Sequence, residues 1–578
     1  MIVSRSRHLL NHERNAGGIP DISWNLIRGS GLTGAHREIA TRSEALRKQL
    51  AIYQYKEKQD VLWVSFIGGT GTGKSTLFNN LCQNEISITG VERPKTEGPV
   101  VYVHTRNITE SDVLFGGIRI IRLKKPDSSI KGESGALSLV THEREDLAHI
   151  NIIDAPDVDS LDGKNRSIAE IVYLLSDVIV FVTSQEKYAD DIPSRFLYRL
   201  RKENKWYFIL FNKADTHQTK REIIDFYQAR NLFLHENRLW LIPFLTSAKG
   251  AISSQSEFRQ FFDTFFTVLS PSHVHEIRKR ERRRNLAEIG SALNHLVLLL
   301  EEERAARRVW TRELDQIVDA SWHNLIEKMR TRFEREHKSA IKQELRIIFD
   351  KYDVLAKPRR YLTEIVSFPF RLLGLKKRDV SAEVHDEDLL RRRARISNEP
   401  IIAAVENLNR QVLELLSPGD SDAPLFEALR NLKVMCDEEE ISLNITREQE
   451  LLAHWLADTF RELAAGISPH KKIGIYSTSV LWGITLISFE AVLGGGISLI
   501  EAAFDSVFAP FLTKGSVELF AYGELKKITH QLNARYESGL WAIIEDQKKR
   551  YIDCFEEVTV PDEVIESLYA AKRKMEDL

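Results

Sequence analysis

The spacing of apolar positions divides this chain at Pro271. Ahead of it, short apolar runs end in turns and alternate with helix-forming stretches; beyond it, charged helical spacing takes over. Four runs read as strands: Val61–Ile67, the run of INIIDAPDVDS ending at Asp154, the run of WYFILFNKADT ending at Asn212, and the run opening LWLIPFLTSAKG. A helix-forming run, Thr76–Leu81, follows the first. Strands alternating with helices predict an α/β domain with a mostly parallel sheet. Before this domain, residues 36–58 have the spacing of an amphipathic helix, and residues 1–35 form a weakly patterned arm.

Beyond Pro271, residues 274–350 repeat apolar positions at mixed three- and four-residue spacing, without proline or strand pattern, which predicts a long helix. The basic run RKRERRR within it reads either as a contact for anionic lipid or nucleic acid or as a solvated helix face. In 355–379, Pro358 and Pro369 interrupt helix, and Phe368, Phe370, Leu372, Leu373 and Leu375 stand among arginines and lysines. That composition suits an interfacial membrane element, and equally a loop packed on a helical stalk. Residues 400–470 are helical again, with a break at SPGDSDAP. Ile473–Phe489 is 17 residues without a charge, at the short limit for crossing a bilayer. Glu490, Glu501 and Asp505 follow, and Gly494-Gly495-Gly496 can turn a hairpin. Carboxylates are costly inside a membrane, so three readings stand for 473–513: an inserting hairpin, a spanning pair, or the centre of a helical bundle. The expected layout is an N-terminal arm and helix (1–59), an α/β domain (60–272), and a helical stalk or bundle (273–470) interrupted near 355–379. A hydrophobic hairpin (471–523) and a C-terminal helix (524–578) complete it.

Composition narrows the classes. With 81 basic and 83 acidic residues the chain is close to neutral, which makes a strongly basic nucleic-acid binder an unexpected reading. Three widely spaced cysteines form neither a disulfide framework nor a metal cluster, and the N-terminus has no apolar core of signal-peptide length. The expected location is cytoplasmic, with peripheral or integral attachment at the inner membrane face if the apolar elements engage lipid.

The chemistry concentrates in VSFIGGTGTGKSTLFNNL, residues 64–81. Gly68, Gly73, Lys74 and Ser75 fit G-x-x-x-x-G-K-[ST] between a predicted strand and a predicted helix. Glycines let backbone N–H groups wrap phosphate oxygens, and the helix adds the positive end of its dipole. Lys74 is placed to reach the β- and γ-phosphates, and the Ser75 hydroxyl to meet Mg²⁺. Further along, Asp154, Asn212-Lys213-Ala214-Asp215 and Ser247-Ala248-Lys249 each follow an apolar strand, where a parallel sheet binds ligands. Asp215 selects the base: its two oxygens can accept from guanine N1–H and the 2-amino group, whereas adenine opposes them with a lone pair.

On these motifs, between about residues 60 and 270, the chain resembles the translation-factor class of P-loop GTPases, which holds Ras-like, Era/septin-like and dynamin-like G domains. The resemblance implies a nucleotide-binding set of Gly68, Gly69, Thr70, Gly71, Thr72, Gly73, Lys74, Ser75, Thr76, Asn212, Lys213, Asp215, Ser247, Ala248 and Lys249. It also implies GTP hydrolysis with Lys74, Ser75, Thr96 and Asp154 as the catalytic set, and Mg²⁺ held by Ser75, Thr96 and Asp154. Thr96, in Arg93-Pro94-Lys95-Thr96, takes the switch I role ahead of Thr89 and Thr105. Two positions depart from the pattern. Asp157 replaces the switch II glycine, and Val158 stands where Ras-like enzymes carry a water-orienting glutamine. Slow basal hydrolysis, raised by self-association or a partner, is therefore expected. The layout of a G domain flanked by helices implies a dynamin-like, membrane-associated GTPase forming homo-oligomers through its G domains, with lipid contact through 355–379 and 473–513. The alternative is an Era-like switch on RNA, a ribosomal particle or a protein.

Overall fold

The computed structural model of the chain describes residues 22–28, 31–89, 98–108, 119–123, 129–157, 163–188, 191–215, 217–244, 252–332, 399–416, 423–430, 434–465 and 519–577. Two short-to-long helices come first, α1 (Trp24–Arg28) and α2 (His36–Glu57). Eight strands follow: β1 (Leu62–Gly68), β2 (Val100–His104), β3 (Arg119–Leu123), β4 (Ala136–His142), β5 (Ile150–Asp154), β6 (Val178–Ser184), β7 (Trp206–Ala214) and β8 (Leu239–Pro243). They form one sheet in the order β3-β4-β2-β5-β1-β6-β7-β8. Every neighbouring pair is parallel except β2 and β5, so the α/β domain has the mostly parallel sheet expected.

The strands β1, β5 and β6 are buried at every position, so their residues are mostly apolar on both faces rather than alternating with polar ones. On one face Leu62, Val64 and Phe66 of β1 share a core with Leu77, Phe78 and Leu81 of α3 (Lys74–Cys82). On the other, Trp63 and Ile67 share a core with buried residues of α4 (Gly163–Leu175), α5 (Asp191–Lys202) and α6 (Lys220–Gln228). The helix α6 starts at a reciprocal capping box, Thr219 with Glu222. In α7 (Ser256–Val268), Phe258, Phe261 and Phe265 recur at helical spacing and join the first core.

The described residues fall into two compact units, one drawn from within 1–28, 38–300 and 562–578, the other from within 29–37 and 301–561. The predicted long helix appears as α8 (Pro271–Arg332), 62 residues in all. Within the first unit its basic run is in part a solvated face, with Lys279, Arg280, Arg282 and Arg283 exposed, and in part paired. Arg278 pairs with Asp60, Arg282 with Glu57 at 3.2 Å, and Arg284 with Glu288 at 2.7 Å, while Arg280 donates to Asn204 Oδ1 at 3.0 Å. A basic run on a helix carries no information about which acidic groups the fold will bring to it, so the sequence did not show which of these arginines would be paired.

The second unit is helical: the remainder of α8, then α9 (Glu399–Glu414), α10 (Pro424–Arg430), α11 (Glu438–Ala465) and α12 (Leu519–Glu557). Leu314, Val318, Leu325 and Met329 of α8 share a core with Val405, Leu408 and Val412 of α9, Ile441 and Ile445 of α11, and Leu540 and Ile544 of α12. The Tyr551 hydroxyl donates to buried Asn409 at 2.8 Å, satisfying both polar groups inside that core. The last helix, α13 (Asp562–Glu576), belongs to the first unit. No helix among the described residues is long and apolar enough to cross a membrane. The elements 355–379 and 473–513 lie outside those residues.

Because β2 runs against β5, its C-terminal His104 and the register partner His142 of β4 sit at the sheet edge opposite Asp154. Their rings meet edge to face at 5.3 Å, and Nδ1 of each accepts a backbone N–H, from Arg106 and Arg144. Burial, with the positive charges of His104 and Arg144, pushes the His142 imidazole down to about 4. The folded state thus binds fewer protons than the unfolded one between about pH 6.5 and 4. The stabilisation is complete above that window and is lost as pH falls through it, by about 3 kcal/mol. The urea midpoint of the wild-type chain should fall more steeply across this window than that of His142→Gln.

Candidate nucleotide-binding site

The sheet places the candidate residues at the C-terminal ends of β1, β5 and β7. A Cβ on Gly68 would lie 2.0 Å from Val182 O, so the strand end can approach β6 only as glycine. Gly73 has φ +89°, and a Cβ there would lie 2.2 Å from Asn212 Nδ2. Between them Thr72 Oγ1 donates to Gly69 O at 2.9 Å, closing the loop on itself. Gly73 caps α3 without a side chain, leaving the first-turn N–H groups of the helix directed out of its N-terminus.

The loop after β7 is tied to this one by two bonds. Asn212 Nδ2 donates to Thr72 O at 2.8 Å, and Lys213 Nζ donates to Gly71 O at 2.8 Å. A register shift between Asn212 and Ala214, with Lys213 at φ +55°, turns the strand end back toward the phosphate loop. Asp215 is exposed at this edge and accepts the His217 N–H at 3.2 Å. Ser247, Ala248, Lys249 and Thr96 lie outside the described residues.

Lys74 is 5% exposed; its ammonium donates to Gly69 O at 3.1 Å and pairs with Asp157. The carboxylate that replaces the switch II glycine is thus turned onto the phosphate-loop lysine rather than away from it. Asp154 is fully buried, and burial pushes its carboxyl up, with Ser75, Ser87 and Lys74 opposing. Its Oδ2 accepts both the Ser75 and the Ser87 hydroxyls at 2.6 Å. Its Oδ1 is buried with no hydrogen-bond partner among the described residues. A buried carboxylate with one oxygen unspent, beside a serine hydroxyl, is a donor set that fits a hard divalent cation such as Mg²⁺. Among the described residues no cluster of three or more histidine, cysteine or acidic groups offers an alternative metal site. The contacts of Ser87 and Asp157 were not legible in the sequence, because nothing in ISIT or APDV marks which group each side chain meets.

Residues 63–213 match the sequence model of a family described as 50S ribosome-binding GTPase. They form a P-loop GTPase G domain. The matched span runs from the second residue of β1 to the Lys213 that returns to the phosphate loop. GTPase Der of Campylobacter fetus subsp. fetus is 23% identical over 211 residues, 35% of this chain and 38% of that protein. GTPase Der of Lachnospira eligens is 28% identical over 177 residues, 30% and 31% of the two chains. The chain spans about a third of the length of these curated relatives. Among solved structures, Aquifex aeolicus Era bound to GDP and AlF4⁻ is 16% identical, covering 36% of this chain and 56% of that one at a TM-score of 0.23. A bacterial dynamin pair, described as oligomerised and as sensing and tethering membranes, is 16% identical, covering 70% and 74% at a TM-score of 0.28. The family match lies within the first unit and does not reach the second, helical one.

Proposed function

We propose that the chain binds GTP through its G domain and hydrolyses it to GDP and phosphate, as a dynamin-like, membrane-associated GTPase whose hydrolysis depends on self-association. The observation that carries GTP as the ligand is the Asn212–Thr72 bond, which fixes the segment bearing Asp215 to the phosphate loop. Base and phosphates are then read by one rigid arrangement. Lys74 would meet the β- and γ-phosphates, and the open N-terminus of α3 the phosphate oxygens. Ser75 and Asp154, with Thr96, would hold Mg²⁺, which when bound neutralises charge on the β- and γ-phosphates.

The dependence on self-association is supported by what the site lacks. Val158 cannot orient a water, and Asp157 engages Lys74, the lysine that should serve the phosphates. A second G domain is the simplest source of the missing group. Membrane association rests on the composition of 355–379 and 473–513 and on the layout of helices around the G domain. GTP turnover should be measured at several protein concentrations, with and without anionic liposomes, with Lys74→Ala as the blank. A specific rate that climbs with concentration and with lipid supports the reading. A rate indifferent to both removes self-association and membrane from it. The second reading, an Era-like switch, draws on the ribosome-binding description of the matching family; salt-sensitive binding of RNA would favour it.

Asp157→Gly should tighten GTP binding about tenfold, because it frees Lys74 and removes a negative charge beside the phosphates; tenfold is about 1.4 kcal/mol. Equilibrium titration of wild type and variant with a non-hydrolysable GTP analogue checks it, and equal or weaker binding by the variant contradicts it.

A further inference from the structure

Ser87 is fully buried and lies 12 residues beyond Ser75, in the loop that leads toward Thr96. Its backbone is held on two sides. Asn79 of α3 accepts the Ile86 and Ser87 N–H groups on Oδ1 at 3.1 and 2.9 Å, and returns a bond from Nδ2 to Ser87 O at 2.7 Å. On the other side Ile88 N–H donates to Ile130 O at 3.0 Å, and Ile130 N–H donates to Ile86 O at 2.7 Å. With the backbone fixed at both flanks, the hydroxyl is the group of this residue left to act, and it donates to Asp154 Oδ2 at 2.6 Å.

We propose that Ser87 is a positioning residue of the metal site. Together with Ser75 it saturates Oδ2 of Asp154 and leaves Oδ1 as the oxygen offered to Mg²⁺ or to its water. The two hydroxyls come from different elements, one from the first turn of α3 and one from the loop clamped by Asn79 and Ile130. A carboxylate held by one donor can turn about its Cβ–Cγ bond; held by two, it keeps one orientation. Loss of such an outer-shell partner characteristically weakens metal binding 10- to 100-fold. The inference rests on the reading of the site as a Mg²⁺–guanine-nucleotide site.

The test is dissociation of a fluorescent GDP analogue from the full chain, chased with unlabelled GDP, over a series of free Mg²⁺ concentrations beginning in EDTA. Wild type should release the analogue more slowly as Mg²⁺ rises, with a defined midpoint. Ser87→Ala should move that midpoint upward about 10- to 100-fold while leaving the EDTA rate unchanged. Ser87→Thr, which keeps the hydroxyl, should restore the wild-type midpoint. An unmoved midpoint in Ser87→Ala overturns the proposal. So does a variant whose EDTA rate and thermal midpoint change while its Mg²⁺ dependence does not, since that is a packing role. If Ser87→Ala does not fold, Ser87→Cys, a weaker donor of similar shape, must fall between alanine and serine in trend, with a raised midpoint; an unshifted one again overturns it. If wild type itself ignores Mg²⁺ or does not hold the analogue, the nucleotide-site reading fails rather than the role of Ser87 within it.

Discussion

Asp215→Asn is expected to weaken GTP binding about 10- to 100-fold and to strengthen binding of xanthosine triphosphate. The aspartate carboxylate presents two acceptors to the N1–H and 2-amino donors of guanine. An asparagine presents one donor and one acceptor, so one guanine donor faces another donor. Xanthine carries a carbonyl at C2 and keeps N1–H, which matches the asparagine. The fixed placement of the segment matters here. Asn212 and Lys213 bond to the phosphate loop at 2.8 Å each, so the loop cannot shift to rescue a mismatched base while the phosphates stay bound. Competition binding of the two triphosphates against one labelled analogue measures both affinities. A variant that keeps its guanine preference unchanged would falsify the assignment of Asp215.

Gly73→Ala should lower nucleotide affinity by at least about 100-fold with a folded chain. Two costs add at that position. A left-handed backbone at φ +89° is unfavourable for alanine by about 1–2 kcal/mol. The new methyl would also lie 2.2 Å from Asn212 Nδ2, so either Asn212 or the loop must move. Moving Asn212 breaks its bond to Thr72 O and uncouples the base loop from the phosphate loop. The affected contacts are all at the C-terminal sheet edge, and the buried strands beneath keep their packing. Titration with GDP and a thermal melt of the free chain separate the two effects: binding should fall far more than the melting midpoint. Equal binding by the variant would show that the loop has room the geometry denies.

The chain's amino-acid order was sufficient wherever the chemistry is local. Gly68 to Ser75 are contiguous, and the loop they make is dictated by glycine dihedrals, a strand before and a helix after. The same holds for β1, β5 and β7, whose mostly apolar runs follow from burial on both faces, and for α8, whose mixed three- and four-residue spacing is helical. Contacts between residues far apart in sequence obeyed no such rule. Asp157 meets Lys74 across 83 residues, Ser87 meets Asp154 across 67, and Arg278 of RKRERRR pairs with Asp60. A side chain's type states what it can bond to; which partner it receives depends on strand order and on the turns that bring separate elements together. Sheet order also decided that β2, β3 and β4 run against β5, which sends His104 and His142 to the edge away from the nucleotide loop. Local backbone preference acts over a few residues and is written in composition, whereas these pairings arise only when the packed core holds the elements in place.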